Sequence, residues 1–333
     1  MLRKQVIEVT RSAYQQNALK RMVADHQTVY DPIYGLKYLV FSLKPTIHKP
    51  DAMSNPVAKP SVFRDPFAKE YIEKDLMVTQ INGTHNLLLN KYNVVDEHVV
   101  LATIDYESQE DPVNVKDFQA MWTCMEGMDA FAFFNCGYAS GASQPHKHMQ
   151  LISYPSLRNY TGNKRPPLLQ YIVDALKKYE EIPSNTILQL QELPFRHFLH
   201  RIDHCKADNS DVAGLCFAAK WRDFAHVVCL WKRVERPQSV PVNNDTENSE
   251  TIAYNLLLTS EFLMLVPRKM QSYYGIEVNS IGFTGSFLGR TREQMDFLTG
   301  NTGGVSGPMK LLQEVTFPQN HELVVTDSNG IDK

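Results

Sequence analysis

Short apolar runs divided by turn signals, with a single helical segment set among them, occupy residues 76–152. Their order limits the fold more than any other feature of the chain. Residues 76–81, 85–92 and 98–104 read as strands, separated by Asn82-Gly83 and by the 93–97 turn. Residues 112–128 carry helical spacing, with Val115, Phe118, Met121, Trp122 and Met125 on one face. Residues 131–136 form a further apolar strand, and a Gly/Ser-rich turn leads to another that begins near Lys147. Strands, one helix and two more strands specify an α+β fold, an antiparallel sheet with helices packed on it. No G-x-G-x-x-G follows a strand and no G-x-x-x-x-G-K-[ST] loop is present, which excludes those two phosphate-binding solutions.

The flanking sequence is less sharply patterned. Residues 3–24 suit one helix with Val6, Val9, Ala13 and Met22 as its apolar stripe, and 37–43 suit a strand. A proline-dense stretch with Pro45, Pro50, Pro56, Pro60 and Pro66 cannot enter a ladder. It is either an ordered loop or lid, or a passive surface linker. In the second half, 168–179 and 212–234 read as helices and 195–202, 254–258, 262–266 and 276–283 as strands. Residues 235–250 are polar and aperiodic with two prolines, the mark of a flexible surface insertion. Two regions are expected: 1–165, and 166–333 with that insertion inside it.

Composition narrows the function classes. At 333 residues and 43% hydrophobic content the chain can bury a substantial core. Its 34 Lys and Arg against 37 Asp and Glu leave a net charge of −3, with no basic excess to draw in nucleic acid. A local pocket for a small polyanion stays compatible with that balance. Five cysteines without C-x-x-C argue against a disulfide framework or a Cys-based zinc site. The start lacks a leader pattern, and no apolar stretch approaches the ~20 residues of a membrane helix. A cytoplasmic monomer without a membrane partner is expected, with the nucleus also open to it.

The chemistry concentrates in residues 135–150, which read Asn-Cys-Gly-Tyr-Ala-Ser-Gly-Ala-Ser-Gln-Pro-His-Lys-His-Met-Gln. On a strand over 147–152, His146, His148 and Gln150 share one face while Lys147, Met149 and Leu151 take the other. The preceding Gly141, Ala142 and Ser143 leave room for backbone N–H groups to approach phosphate oxygens. A neutral imidazole is a competent nucleophile near pH 7 toward an activated phosphoryl group. Gln150 can donate to a phosphate oxygen without adding another ionisable group, and His146 can hold its neighbour's tautomer or donate to a leaving oxygen. Paired histidines on a strand also suit a metal, although no Cys or carboxylate stands at helpful local spacing.

The segment resembles the active strand of the histidine-triad superfamily, and the Gln in its last polar position is similar to the nucleotidyl-transferase branch. The likeness extends upstream to Asn86-Leu-Leu-Leu-Asn-Lys-Tyr and His98-Val-Val-Leu-Ala-Thr, and downstream to Ile276-Glu-Val-Asn-Ser-Ile-Gly-Phe-Thr-Gly-Ser. Together these resemble the fungal-type diadenosine tetraphosphate phosphorylases, also called ATP adenylyltransferases, over residues from about 39 to 314. The resemblance implies a histidine-triad-like antiparallel sheet with packed helices. It assigns the nucleotidyl-transfer core to residues 1–165, and the region from 166 onward completes the cleft. It implies phosphorolysis of the dinucleotide to ATP and ADP, with His148 as the nucleophile that takes up AMP and His146 and Gln150 beside it. Asn90, Lys91, Asn135, Gly141, Ala142, Ser143 and Gln144 would contact substrate, as would Lys49 in the Lys-Pro of the proline-dense stretch and Asn279, Ser280 and Ile281. The partners implied are a dinucleoside polyphosphate, ATP, ADP and inorganic phosphate, with a divalent cation such as Mg²⁺ carried on the phosphates.

Two positions depart from the family's pattern. Ser286 stands where the family has Met, and Arg290 where it has Lys, which keeps the charge and changes the geometry. Base preference is therefore open. A hexose-1-phosphate uridylyltransferase, a hydrolase of the same superfamily and a nucleotide sensor without turnover are the other readings. On base rates alone Asn90-Lys91 is a turn, Lys49 and Arg290 are solvated charges and Asn279 is an edge residue. His85, His98, His197, His200 and His204 read as structural or surface histidines.

Overall fold

The computed structural model describes residues 1–44, 64–162, 165–202, 209–235 and 252–319. Lys49, most of the proline-dense stretch and the 236–250 part of the polar insertion lie outside the described residues.

Helix α1 (Leu2–Gln15) leads to an antiparallel pair, β1 (Ala24–Asp31) and β2 (Leu36–Leu43). Strands β3 (Met77–Ile81), β4 (His85–Leu89) and β5 (His98–Thr103) precede helix α2 (Val115–Met128), strand β6 (Ala130–Cys136) and strand β7 (His148–Ser153). Helices α3 (Tyr154–Thr161) and α4 (Pro167–Leu176), strand β8 (Phe198–Arg201) and the long helix α5 (Ser210–Glu235) follow. The chain then forms β9 (Tyr254–Leu258), β10 (Phe262–Pro267) and a small ladder of β11 (Ser272–Tyr273) and β12 (Ile276–Glu277). It closes with β13 (Ser286–Gly289), helix α6 (Arg292–Thr299), the pair β14 (Asn301–Thr302) and β15 (Val305–Ser306), and helix α7 (Gly307–Val315).

The α+β antiparallel architecture read from the sequence is present. One eight-stranded sheet runs in the order β3-β4-β5-β7-β6-β9-β10-β8, every pairing antiparallel, so strands from both halves share it. A second, three-stranded sheet sets β13 parallel to β2, opposite β1. Among the described residues no helix is long and apolar enough to cross a membrane.

Helix α2 starts at a reciprocal cap. The Asn114 side chain accepts from the N–H groups of Lys116 and Asp117, and the Asp117 carboxylate accepts from the Asn114 N–H. Its apolar face, with Phe118 and Trp122, meets Phe217 of α5 at ring separations of 5.9 and 5.2 Å. These helices and α1 cover one face of the large sheet, over Leu87, Val99, Leu101, Met149, Leu151 and Phe134. On the opposite face α4, α7 and the small sheet bury Phe131, Phe133, Ile152, Leu257 and Met264. Leu88, Val100, Ala102 and Phe67 form a smaller apolar patch on that same face. The candidate site lies between the two.

Several sequence expectations need correction. The first helix stops at Gln15 rather than near 24, because Asn17 turns left-handed (φ 55°). Met22 lies beyond it, where its N–H donates to the Asn93 carbonyl. Strand β1 carries no sequence signal because four of its eight residues in succession are exposed, which leaves no apolar alternation. The strand expected over 276–283 ends at Glu277. Asn279 caps a turn of 3₁₀ helix over Ser280–Thr284 by accepting from the Ile281 N–H. Cys124 and Cys136 are buried free thiols, whereas Cys216 is disulfide-bonded, which the sequence argument against a disulfide framework does not anticipate.

Candidate active site

Strand β7 sets the central row. Its alternation turns Met149 and Leu151 into the helix-side core and sends His148 and Gln150 to the other face. Lys147 also faces the helices, only 1% exposed, with Nζ 2.6 Å from Glu107 and 3.4 Å from Asp117. This buried ion pair pins the backbone between the two histidines.

His148 is 5% exposed, and its Nδ1–H donates to the main-chain carbonyl of His146 at 2.9 Å. A carbonyl only accepts, so in the neutral ring the proton sits on Nδ1 and the lone pair on Nε2. The carbonyl of His146, not its ring, therefore holds the neighbour's tautomer. The His146 ring is anchored at both nitrogens: Nδ1 lies 2.6 Å from Asp65 Oδ2, and Nε2 lies 2.9 Å from the Thr103 carbonyl. Asp65 Oδ1 accepts from the Phe67 N–H, and the Phe67 ring rests 5.1 Å from His148 and 5.8 Å from His146. The three-residue turn 65–67 thus touches both histidines at once.

Gln150 Oε1 lies 2.9 Å from His98 Nε2, and Asn90 Nδ2 lies 3.3 Å from both nitrogens of that imidazole. With His98 donating to Oε1, the NH₂ of Gln150 is the end of the amide turned outward. Asn90 also accepts from the Tyr92 N–H at 3.2 Å. Lys91 is half-exposed and pairs with Glu73 at 2.6 Å.

A second cluster sits where β6 and β9 end. Asn135 Oδ1 accepts from Asn255 Nδ2, from the Ser280 N–H and from Ser280 Oγ at 2.8, 3.0 and 2.7 Å. Asn279 caps its turn and Ile281 follows half-buried. Gly141 adopts φ 83° and lies so close to Val278 and Asn279 that an added Cβ would come within 3.0 Å of both. The small-residue turn is therefore packed directly on the 278–281 segment. Ala142, Ser143 and Gln144 border a cavity of about 260 Å³ with Ser108 and Tyr138, and Gln144 Oε1 is buried with no hydrogen-bond partner among the described residues. Ser286 opens β13 on the small sheet, 3.3 Å from Thr284 Oγ1, and Arg290 stands exposed just past that strand.

Three participants were not read from the sequence. His98 reads from the sequence as a structural or surface histidine, and only the β5–β7 register brings it to Gln150. Asp65 lies 81 residues from His146 and carries no local signal. Gln109 reaches His148 from a loop before α2, again without a motif. Among the described residues no group of three or more His, Cys, Asp or Glu is placed to hold a metal ion.

Residues 1–172 match the family described as Ap4A phosphorylase N-terminal domain, and residues 191–318 match the ATP adenylyltransferase C-terminal domain. Diadenosine 5',5'''-P1,P4-tetraphosphate phosphorylase 2 of Saccharomyces cerevisiae is 26% identical over 306 residues, covering 86% of this chain and 87% of that protein. Protein APA1 of the same yeast is 24% identical over 304 residues, covering 87% of each. In fold, the chain is similar to the crystal structure of yeast Ap4A phosphorylase Apa2, with a TM-score of 0.72 at 24% identity, over 95% of this chain and 97% of that one. The complex of Apa2 with Ap4A superposes with a TM-score of 0.71 at 23% identity over the same shares. With the first family match alone spanning more than half of its length, the chain belongs to the Ap4A phosphorylase family.

Proposed function

We propose that this protein phosphorolyses diadenosine 5',5'''-P1,P4-tetraphosphate with inorganic phosphate to ATP and ADP, through an adenylyl-histidine intermediate. The observation that carries this reading is the His148 ring, whose Nδ1–H is committed to the His146 carbonyl so that the Nε2 lone pair is the reactive one.

In the first step Nε2 attacks the α-phosphorus of one AMP moiety. A P–N bond forms, the bond from that phosphorus to the bridging oxygen breaks, and ATP departs with the bridging electron pair. In the second step an oxygen of inorganic phosphate attacks the same phosphorus. The P–N bond breaks, ADP leaves and the neutral imidazole returns. The NH₂ of Gln150, oriented by His98, donates to the non-bridging oxygens as charge builds on them. Gly141, Ala142, Ser143 and Gln144 present backbone and amide groups to the phosphates, and Asn135, Asn279, Ser280 and Ile281 shape the far wall. Lys49, Lys91 and Arg290 offset the phosphate charge, Lys91 by exchanging Glu73 for the substrate. Ser286 lies toward the distal nucleoside. Mg²⁺ enters on the substrate's own phosphates.

The test is a turnover assay with diadenosine tetraphosphate and Mg²⁺, with and without phosphate, beside a His148→Ala sample. Equal ATP and ADP that require phosphate and vanish in the variant are expected. Phosphate-independent ATP plus AMP would make the protein a hydrolase, and an absence of any AMP adduct on His148 by mass spectrometry would reject the covalent route.

A further inference from the structure

Arg268 is 3% exposed, yet every partner it has among the described residues is neutral. Its Nη1 donates to Asn255 Oδ1 at 2.5 Å, to the Val278 carbonyl at 2.8 Å and to the Ser140 carbonyl at 3.4 Å. Nη2 donates to the Met270 and Gln271 carbonyls at 2.8 and 3.4 Å, and Nε to the Val315 carbonyl at 3.2 Å. The face of the Phe283 ring lies 5.5 Å away. Burial lowers the guanidinium pKa to about 9, which leaves it charged at neutral pH. No carboxylate pairs with it among the described residues.

A buried cation without a counter-ion is costly, so its presence here calls for a reason. Its position indicates what that is. Ser140 precedes the Gly141–Gln144 turn and Val278 precedes Asn279-Ser280-Ile281, so one guanidinium ties together the two segments that face each other across Gly141. Asn255 extends the hold. Polarised by Arg268 at Oδ1, it donates through Nδ2 to the Ser140 carbonyl at 2.9 Å and to Asn135 Oδ1 at 2.8 Å. Ala142 is two residues beyond Ser140, at most ~7 Å of chain, which sets its backbone within roughly 10 Å of the guanidinium. Arg268 is itself buried, so salt screens its charge less than it would that of a surface group.

We propose that Arg268 is a positioning residue for the polyphosphate cleft. It holds the Ser140–Gln144 turn against the 278–281 segment, and its uncompensated charge grades affinity according to the number of negative charges on the ligand's phosphate chain. The inference rests on the nucleotide reading above. It adds a residue that touches no substrate and reads total phosphate charge rather than base identity.

The test titrates AMP, ADP and ATP into the full-length protein in EDTA by calorimetry, for the natural protein, Arg268→Gln and Arg268→Lys. Near-UV circular dichroism reports folding alongside. In the natural protein affinity rises from AMP to ATP. Arg268→Gln weakens ATP roughly tenfold more than AMP, the expected effect of one charge acting on two additional phosphate charges across partly screened protein. Arg268→Lys keeps the grading and melts at a lower temperature, because an ammonium cannot reach all six acceptors. Equal losses for all three nucleotides in Arg268→Gln would reduce Arg268 to a structural brace and overturn the proposal. Should Arg268→Gln fail to fold, Arg268→Lys decides, and loss of grading at unchanged charge overturns it. Failure of the natural protein to bind any of the three would reject the nucleotide reading itself, and this inference with it.

Discussion

The carboxamide of Gln109 closes on the main chain of His148 from both sides: Oε1 accepts from the His148 N–H at 2.7 Å, and Nε2 donates to its carbonyl at 3.2 Å. The same Nε2 donates to the Asn135 carbonyl at 2.7 Å. The β6–β7 ladder ends at the Phe133–Gln150 pair, where the strands diverge. Gln109 fills the next rung with a side-chain amide, so the strand that carries His148 is held at the point where its own partner leaves it.

Replacing Gln109 by Ala strands three main-chain groups and frees the His148 backbone. Stability should fall by about 1–3 kcal/mol. Phosphorolysis kcat should fall on the order of 10²-fold through misplacement of His148, the proposed nucleophile. Stopped-flow adduct formation and a thermal melt check both, and a variant that loses stability while keeping its kcat refutes the positioning role.

His98→Phe keeps the bulk against Phe133, whose ring lies 6.0 Å away, and removes the donor that orients Gln150. The amide then rotates freely, so kcat should drop about 10-fold or more with little change in KM, as for an interaction realised in the transition state. A Gln150→Ala variant should show no further loss from His98→Phe. Additive losses in the double variant would mean that the two act separately.

Gly141→Ala sets a side chain at φ 83° and drives its Cβ to 3.0 Å from the Val278 carbonyl and from Asn279 Cβ. We expect a cost of about 1–3 kcal/mol. KM for the dinucleotide should rise as the turn lifts from the 278–281 segment. Denaturant unfolding and steady-state kinetics measure the two effects, and unchanged values in both would show that the segments are not packed as described.

Acid should unfold the protein through His197. Its ring is fully buried, accepts from the Leu190 N–H at Nε2 and donates from Nδ1 to the Phe195 carbonyl. Desolvation lowers its pKa from 6.5 to about 4. The unfolded chain therefore binds the proton first. The His197 contribution is intact above pH 6.5 and is lost as pH falls toward 4, by about 3 kcal/mol in all. Urea midpoints across that window should decline, and His197→Gln should decline less steeply than the natural protein.

What was legible in the sequence follows from how far apart the informative residues lie. Strands β3 to β7 and helix α2 could be placed because alternation, helical spacing and Asn-Gly turns are local properties of 5 to 17 residues. The row of His146, His148 and Gln150 came from the same periodicity. The long helix at Met22 failed because a left-handed Asn17 outweighed an apolar stripe, and β1 failed because an exposed strand has no buried face to mark it. His98, Asp65 and Gln109 stayed hidden for another reason. Each reaches the site through strand register or loop closure across 39 to 81 residues, and no period or motif encodes such a meeting.

The shared sheet has a consequence for how the chain is made. Asn135 and Asn255 bond across the β6–β9 seam, yet 120 residues separate them. At roughly 5–20 residues per second, synthesis leaves the outer side of β6 bare for about 6–24 s before its neighbour emerges from the ribosome. A strand so apolar, with one row of N–H and C=O groups open, is a template for any passing segment. A polypeptide halted at residue 172 would keep that edge for good. The hazard to the chain in this interval is misassociation at that edge, set by the order of synthesis and not by the finished stability.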